Sequence, residues 1–181
     1  MKTNRVRIIG GQWRSRIVRF PHAPALRPTP DRVRETLFNW LGQDLTGKIC
    51  LDLFAGSGAL GFEAASRGAR MVVMVEQNVS VCQALRETQA ALGAGPVEGR
   101  RADAVAFLKS DVRHYDVIFL DPPFDLGLLP RLLPLLPARL APNACVYLEA
   151  DAPVAIPAEF ELVRQTRAGQ VHGLLIKYLP S

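Results

Sequence analysis

The sequence predicts an α/β fold in which a mostly parallel β-sheet carries helices on both faces. From Lys48 onward, short β-branched segments alternate with amphipathic segments of helical length, which is the pattern of parallel strands joined by crossover helices. A glycine-rich turn, Gly56 to Gly61, falls where the first of these strands passes into the first helix. With 181 residues, 49% of them hydrophobic and 22% charged, the chain is long enough for one such domain and a small extension.

The N-terminal part precedes this sheet. Two short apolar segments, Val6 to Ile9 and Ile17 to Phe20, flank Gly10-Gly11 and predict a β-hairpin. Thr29-Pro30-Asp31 then predicts the start of a helix that runs to about Leu41, with proline at its first helical position.

The first half of the sheet follows. Ile49 to Phe54 predicts a strand, and Ala59 to Arg67 a helix. Met71 to Val75 predicts the next strand and Val79 to Leu92 the next helix. Each of these helices is followed by a glycine, which is favoured in a left-handed C-terminal cap.

The next elements are shorter. Val97 to Arg100 predicts the third strand, and Asp103 to Lys109 a helix with its acidic residue at the start. Tyr115 to Leu120 predicts the fourth strand, which must stop at Asp121-Pro122-Pro123 because proline cannot donate ladder hydrogen bonds. The leucine-rich stretch from Leu126 to Leu140 predicts one broken helix.

The C-terminal part predicts the remaining strands. Ala144 to Glu149 forms a fifth strand of the pattern. Glu159 to Thr166 and Val171 to Leu179 predict an antiparallel hairpin that turns near Ala168-Gly169. We expect this hairpin at one edge of the sheet.

The N-terminal part is strongly basic. Up to Arg34 it contains nine Lys and Arg residues against the single anion Asp31. Arginines that interleave with aromatic residues across a hairpin favour contact with phosphates and stacked bases, with an ordinary solvated face as the alternative. The predicted contacts are Arg5, Arg7, Trp13, Arg14, Arg16, Arg27, Arg32 and Arg34. We therefore divide the chain into a basic extension, residues 1–45, and a sheet domain, residues 46–181.

The glycine-rich turn matches GxGxxG, which is compatible with two cofactors. Dinucleotide enzymes place a pyrophosphate on such a turn, whereas methyltransferases pass the backbone beside the methionine and ribose of S-adenosylmethionine. Asp52 at the end of the first strand favours S-adenosylmethionine, since a carboxylate attracts its ammonium group and repels a pyrophosphate. Glu76 suits the ribose hydroxyls of either cofactor, and Asp103 suits either the adenine amine or a helix cap. The predicted cofactor contacts are Asp52, Phe54, Ala55, Gly56, Ser57, Gly58, Glu76, Gln77, Asp103 and Ala104.

The predicted catalytic residues are Asp121, Pro122, Pro123 and Phe124. The prolines fix a corner in which the Asp121 carboxylate and the Pro122 carbonyl can both accept hydrogens of one exocyclic amine. Such an amine is a poor nucleophile until its lone pair leaves the ring plane, so methyl transfer depends on position and electrostatics. Phe124 can stack on a flipped or unpaired base. These residues leave open which base is modified.

Other side chains give no further site. The cysteines Cys50, Cys82 and Cys145 and the histidines His22, His114 and His172 lie far apart in the sequence. We expect reduced structural thiols and no metal. The N-terminus lacks an apolar segment of signal-peptide length, and prolines interrupt the Leu126 to Leu136 stretch, so we expect a cytoplasmic protein.

With these motifs the chain resembles the bacterial 16S rRNA (guanine(966)-N2)-methyltransferase family over nearly its whole length. The segments that carry the resemblance are Arg7 to Arg14, Arg27 to Leu41, Asp52 to Gly61 and Asp121 to Phe124. The second segment is the most specific to the family, and the leucine-proline stretch after Phe124 is less typical. The resemblance implies a seven-stranded, Rossmann-like class I S-adenosylmethionine-dependent methyltransferase domain with an N-terminal hairpin that grips RNA. It also implies action on a guanine of 16S rRNA in the small ribosomal subunit or its assembly intermediate. Independently of the resemblance, we expect a monomer.

Three alternatives remain at this stage. Adenine-N6 methylation of DNA or RNA needs the same Asp-Pro-Pro-Phe corner. A dehydrogenase would need an acid or base facing a nicotinamide beside Asp121. A non-catalytic ribosome-assembly factor could retain the fold, although the acidic residues Asp52, Glu76, Asp103 and Asp121 are all present.

Overall fold

The computed structural model describes residues 3–22, 26 and 28–179. The chain begins with an antiparallel hairpin of β1 (Thr3–Arg7) and β2 (Ile17–Pro21), in which Val6 lies opposite Val18. This confirms the predicted N-terminal hairpin, although β1 starts and ends earlier than the sequence indicated. Helix α1 (Asp31–Trp40) follows, and Pro30 precedes its first turn in an extended conformation, one position before the predicted one.

A seven-stranded sheet forms the rest of the molecule. Its elements in chain order are β3 (Ile49–Asp52), α2 (Ala59–Ser66), β4 (Met71–Glu76), α3 (Val79–Leu92), β5 (Val97–Arg101), α4 (Ala104–Ser110), β6 (Tyr115–Leu120), α5 (Leu129–Leu132), β7 (Leu140–Ala150), β8 (Phe160–Ala168) and β9 (Val171–Tyr178). The strands lie in the order β5-β4-β3-β6-β7-β9-β8. Strands β3 to β7 are parallel and β9 is antiparallel to both of its neighbours. The predicted fold class is thereby confirmed.

The segment between β6 and β7 is a broken helix, as predicted, but more fragmented than expected. It consists of α5 and short 3₁₀ turns between Phe124 and Arg139. Prolines recur at positions 130, 134 and 137, and each removes a backbone donor that a longer helix needs. Strand β7 is also longer than expected, because Leu140 already pairs with Tyr115 ahead of an irregularity in the register.

Hydrophobic side chains pack against both faces of the sheet. One cluster joins the sheet to the hairpin, α1, α2 and α3, and includes Trp13, Phe38 and Phe119. The other cluster joins the opposite face to α4 and α5, and includes Phe107 and Leu132. The N-terminal hairpin therefore shares a core with the sheet. Within the described residues no helix combines the length and the hydropathy that a membrane span requires.

Candidate active site

Acidic side chains lie at the carboxyl ends of neighbouring parallel strands. Asp52 ends β3, Glu76 ends β4, Asp121 follows β6 and Glu149 is the penultimate residue of β7. Asp52 and Tyr147 both pair with Phe119 in the strand register. Because side chains alternate along a strand, Asp52, Asp121 and Glu149 lie on the same face of the sheet. This is the edge at which α/β proteins bind their ligands.

Asp52 is a buried carboxylate, with 2% of its surface exposed. Its Oδ2 accepts a hydrogen bond from the Gly61 backbone amide at 2.9 Å. Burial raises the pKa of Asp52 to about 7, and the charge of Glu76 adds to the rise. A nearby cation would offset both effects, so this site fits a ligand with an ammonium group.

The glycine turn between β3 and α2 needs glycine for two reasons. Gly56 and Gly58 adopt φ values of 49° and 81°, a region that other residues rarely occupy. A Cβ at Gly61 would lie 2.9 Å from the Met74 side chain and 3.1 Å from Asp52 Oδ2. Small residues therefore allow α2 to pack against the carboxyl ends of β3 and β4.

The other predicted cofactor residues lie in the turn itself or at or after the carboxyl ends of β4 and β5. Glu76 accepts hydrogen bonds from the backbone amides of Gly56 at 3.1 Å and Asn78 at 2.8 Å. Asp103 is exposed and accepts from the Ala106 amide at 2.9 Å, so it caps α4 as the alternative interpretation had it. The flanking predicted residues are Phe54, which is half-buried, Ala55, Ser57 and Ala104, which are buried, and Gln77, which is exposed.

The Asp-Pro-Pro-Phe corner lies beside this turn at the end of β6. Asp121 is partly buried, Pro122 is buried, and Phe124 is half-buried at the start of a 3₁₀ turn. Burial raises the pKa of Asp121 well above its ordinary value, and the charges of Glu149 and Asp52 raise it further. The corner thus holds a carboxyl group that takes up a proton more readily than an ordinary aspartate.

Sequence reasoning did not single out Glu149. Its side chain is 6% exposed, and its Oε1 accepts a hydrogen bond from the Tyr147 hydroxyl at 2.9 Å. Glu149 ends the predicted strand Ala144 to Glu149, and the structure pairs this strand with β6, which precedes Asp121. An acidic residue at a strand end is as informative there as Asp52 and Glu76 are on their strands.

The predicted basic contacts divide into exposed and buried groups. The exposed ones are Arg5, Arg7, Arg14, Arg16 and Arg32. The predicted contact of Arg34 is wrong, because its side chain has 0% exposure and pairs with Glu63 and Asp31. The stacking role of Trp13 is also wrong, since the ring is 6% exposed and belongs to the core. Arg27 lies outside the described residues.

The loop of the hairpin is bonded to α2. Glu63 accepts hydrogen bonds from the amides of Ile9 and Gly10, each at 2.8 Å. Ser66 donates from its hydroxyl to the Gly10 carbonyl and accepts from the Trp13 amide. Glu63 and Ser66 were not predicted as important, because nothing local in the sequence marks a helical glutamate as the anchor of a distant loop.

Two of the exposed arginines, Arg5 and Arg7, border a cavity. An open space of about 370 Å³ lies between the hairpin and the start of α1. It is lined by Arg5, Val6, Arg7, Ile17 and residues 28–31. Arg7 is held in this position by an ion pair with Asp31 at 3.3 Å. Cationic and apolar side chains therefore line the same cavity beside the hairpin.

The fold and the family of its relatives define a class I methyltransferase, an enzyme whose methyl donor is S-adenosylmethionine. The structure of the Escherichia coli protein yhhF superposes with a TM-score of 0.89 and 43% identity, covering 98% of this chain and all of that one. The family model described as "Conserved hypothetical protein 95" matches residues 6–177, and the chain belongs to this family.

Curated relatives agree with this placement. "Ribosomal RNA small subunit methyltransferase D" of Escherichia coli strain K12 is 44% identical over 174 residues, which cover 93% of this chain and 88% of the relative. The Haemophilus influenzae protein of the same name is 40% identical over 174 residues, which cover 92% of this chain and 90% of the relative.

Proposed function

We propose that this enzyme transfers a methyl group from S-adenosylmethionine to the exocyclic N2 of a guanine in 16S rRNA, at a site of the G966 type. The observation that carries the proposal is the position of Asp121 at the strand edge that also holds Asp52 and the glycine turn. The relatives named for small-subunit rRNA methylation support the RNA substrate.

The predicted cofactor residues fit this donor. Asp52 would pair with its ammonium group, Glu76 would accept from its ribose hydroxyls, and Asp103 would accept from its adenine amine. The buried Asp52 carboxylate, whose pKa is raised by burial and by the charge of Glu76, is the feature of this structure that favours a cationic ligand over a pyrophosphate. When bound, S-adenosylmethionine supplies an activated methyl group on a positively charged sulfur.

Asp121 and the Pro122 carbonyl would act on the other reactant. Both accept hydrogen bonds from the target amine and so hold its lone pair out of the plane of the ring. Phe124 would stack on the base and replace the stacking lost when it leaves a helix. The amine must release one proton on methylation, and the raised pKa of Asp121 suits this carboxylate to accept it.

The RNA would lie across the N-terminal face. Arg5 and Arg7 line the open cavity beside the hairpin, and Arg14, Arg16 and Arg32 are further exposed cations of the same extension. We propose that residues 1–45 form this RNA-binding extension and that residues 46–181 form the methyltransferase domain. We further propose a cytoplasmic monomer whose partner is the small ribosomal subunit or its assembly intermediate.

The test uses small subunits purified from cells that lack the modification. Wild-type protein should transfer labelled methyl groups to one guanine, identified by mass spectrometry of the digested rRNA. Asp121→Ala should reduce transfer by about 100-fold or more, while cofactor affinity measured by calorimetry changes little. Asp125→Ala is the matched control, because this exposed carboxylate lies in the same turn. Full transfer by Asp121→Ala would refute the mechanism.

A further inference from the structure

Glu149 is a buried carboxylate that has no role in the proposed methyl transfer. An ionised side chain that is 6% exposed costs free energy unless other groups compensate it. Burial raises the pKa of Glu149, while hydrogen bonds from Tyr147 and Thr29 lower it. Tyr147 and Thr29 come from separate parts of the chain, and the hydrogen bond from the Tyr147 hydroxyl holds Oε1 in a defined position.

The residues around Glu149 leave room for the Tyr147 side chain to reach the Glu149 carboxylate. The Tyr147 ring lies in the core and its hydroxyl donates to Glu149 Oε1 at 2.9 Å. A Cβ at Gly173, on the neighbouring strand, would come within 2.8 Å of that hydroxyl. Gly173 therefore leaves the space in which Tyr147 reaches Glu149. Thr29 is buried, and its carbonyl is fixed by the Arg34 Nε at 3.1 Å.

Glu149 is the lateral neighbour of Asp121. Leu120 pairs with Leu148 in the parallel register of β6 and β7, so the residues that follow each of them are adjacent. Neighbouring strands lie about 4.8 Å apart, and both carboxylates are on the same face. The charge of Glu149 raises the pKa of Asp121, which is consistent with this proximity. The site thus presents two hydrogen-bond acceptors side by side.

We propose that Glu149 is a specificity-determining residue that accepts a hydrogen bond from N1–H of the target guanine while Asp121 accepts from N2. This inference rests on the proposed function. Guanine presents N1–H and N2–H as neighbouring donors, which match two neighbouring carboxylates. Adenine presents its amine beside N1, which is an acceptor, so a carboxylate opposite N1 would be repelled. Glu149 therefore decides between the two bases that the Asp-Pro-Pro-Phe corner alone accepts.

The substrate that isolates this contact is 2-aminopurine. It retains the exocyclic amine on C2 but has a lone pair at N1 in place of the hydrogen. We would place guanine or 2-aminopurine at the target position of reconstituted small subunits and measure kcat/KM for methyl transfer. The enzymes are wild type, Glu149→Gln, Glu149→Ala and the control Glu161→Gln, which changes an exposed carboxylate on β8.

Wild type and Glu161→Gln should prefer guanine to 2-aminopurine by at least about tenfold, since a hydrogen bond to a charged group contributes about 1.5–3 kcal/mol. Both Glu149 variants should lose activity on guanine by a similar factor and lose most of that preference. Equal activity of the wild type on the two bases would overturn the inference without any variant. A preference unchanged in the Glu149 variants would also overturn it.

The experiment separates an error in the role of Glu149 from an error in the proposed function. If the wild type does not methylate guanine in the particle, the proposed function fails first. If it does so and Glu149 does not affect base preference, only the role of Glu149 fails. Calorimetry with S-adenosylmethionine shows whether each variant is folded, since Glu149 is not among the predicted cofactor contacts. A general loss of structure would reduce activity on both bases equally and would leave their ratio unchanged.

Discussion

Glu63 and Arg34 form an ion pair at 3.2 Å in which neither side chain is exposed to solvent. Glu63 belongs to α2 in the sheet domain, whereas Arg34 belongs to α1 in the N-terminal extension. The same carboxylate also accepts from Arg67 at 3.0 Å and from two amides of the hairpin loop. One buried carboxylate therefore joins the extension to the domain.

We expect Glu63→Ala to lower the free energy of unfolding by about 3–5 kcal/mol, because it removes one of the two carboxylate partners of the buried Arg34 and the acceptor of two hairpin amides. Urea denaturation followed by circular dichroism measures the change. The control is Glu35→Ala, an exposed residue of α1 whose loss should cost less than about 0.5 kcal/mol. Similar midpoints for the two variants would show that the buried pair contributes little.

Joint substitution of Arg7, Arg14 and Arg16 by Ala should weaken RNA binding and flatten its dependence on salt, because fewer counterions are released. Filter binding of the rRNA fragment at several salt concentrations measures both quantities. Joint substitution of Lys48, Arg70 and Lys109 is the matched control, since these exposed cations lie near the amino ends of β3, β4 and β6. An equal effect of the two triple variants would assign the binding to net charge alone.

Cofactor affinity should depend on pH through Asp52. Its pKa is raised to about 7 in the unliganded protein, so below that pH the carboxyl must lose a proton before it can pair with an ammonium group. Affinity should fall by up to about tenfold per pH unit as the pH drops below 7. Calorimetry in buffers of different ionisation enthalpy would detect the released proton. Asp52→Asn should bind weakly at every pH, and a flat wild-type profile would exclude this role.

The acidic limb of the pH–rate profile should move in Glu149→Gln. Asp121 accepts hydrogens of the amine only when ionised, and the charge of Glu149 raises its pKa. Removing that charge lowers the pKa of Asp121, so the limb shifts to lower pH. The profile is normalised to the maximal kcat of each variant, and Glu161→Gln should show no shift. A shift to higher pH would contradict the assignment.

The sequence alone predicted the elements whose signals are local. Strands β3, β4 and β6 and helices α2 and α3 were located to within a few residues, because β-branched runs, helical periodicity and capping glycines all lie within each segment. The break in the stretch before β7 follows from its prolines, but the sequence did not show that only four residues keep the α-helical form.

The prediction of site residues was limited in the same way, because it too depended on local signals in the sequence. Asp52, Glu76 and Asp121 were proposed as site residues because each lies at the end of a predicted strand, and the structure has all three at one edge of the sheet. Arg34 was misassigned because an arginine in a basic segment favours solvent or RNA, and only the fold reveals a buried glutamate 29 positions away. Whether a side chain is buried depends on contacts distant in sequence, which residue type and spacing do not encode.

Helix α2 has a consequence for the choice of target. It begins at Ala59, directly after the glycine turn, and ends at Ser66, to which the hairpin loop is bonded. Eight residues of rigid helix, about 12 Å in length, therefore separate the two ends. If RNA binds the hairpin as proposed, the fixed length of α2 sets the distance between the bound backbone and the glycine turn. A nucleotide at that distance along the RNA would then be the one placed for methyl transfer.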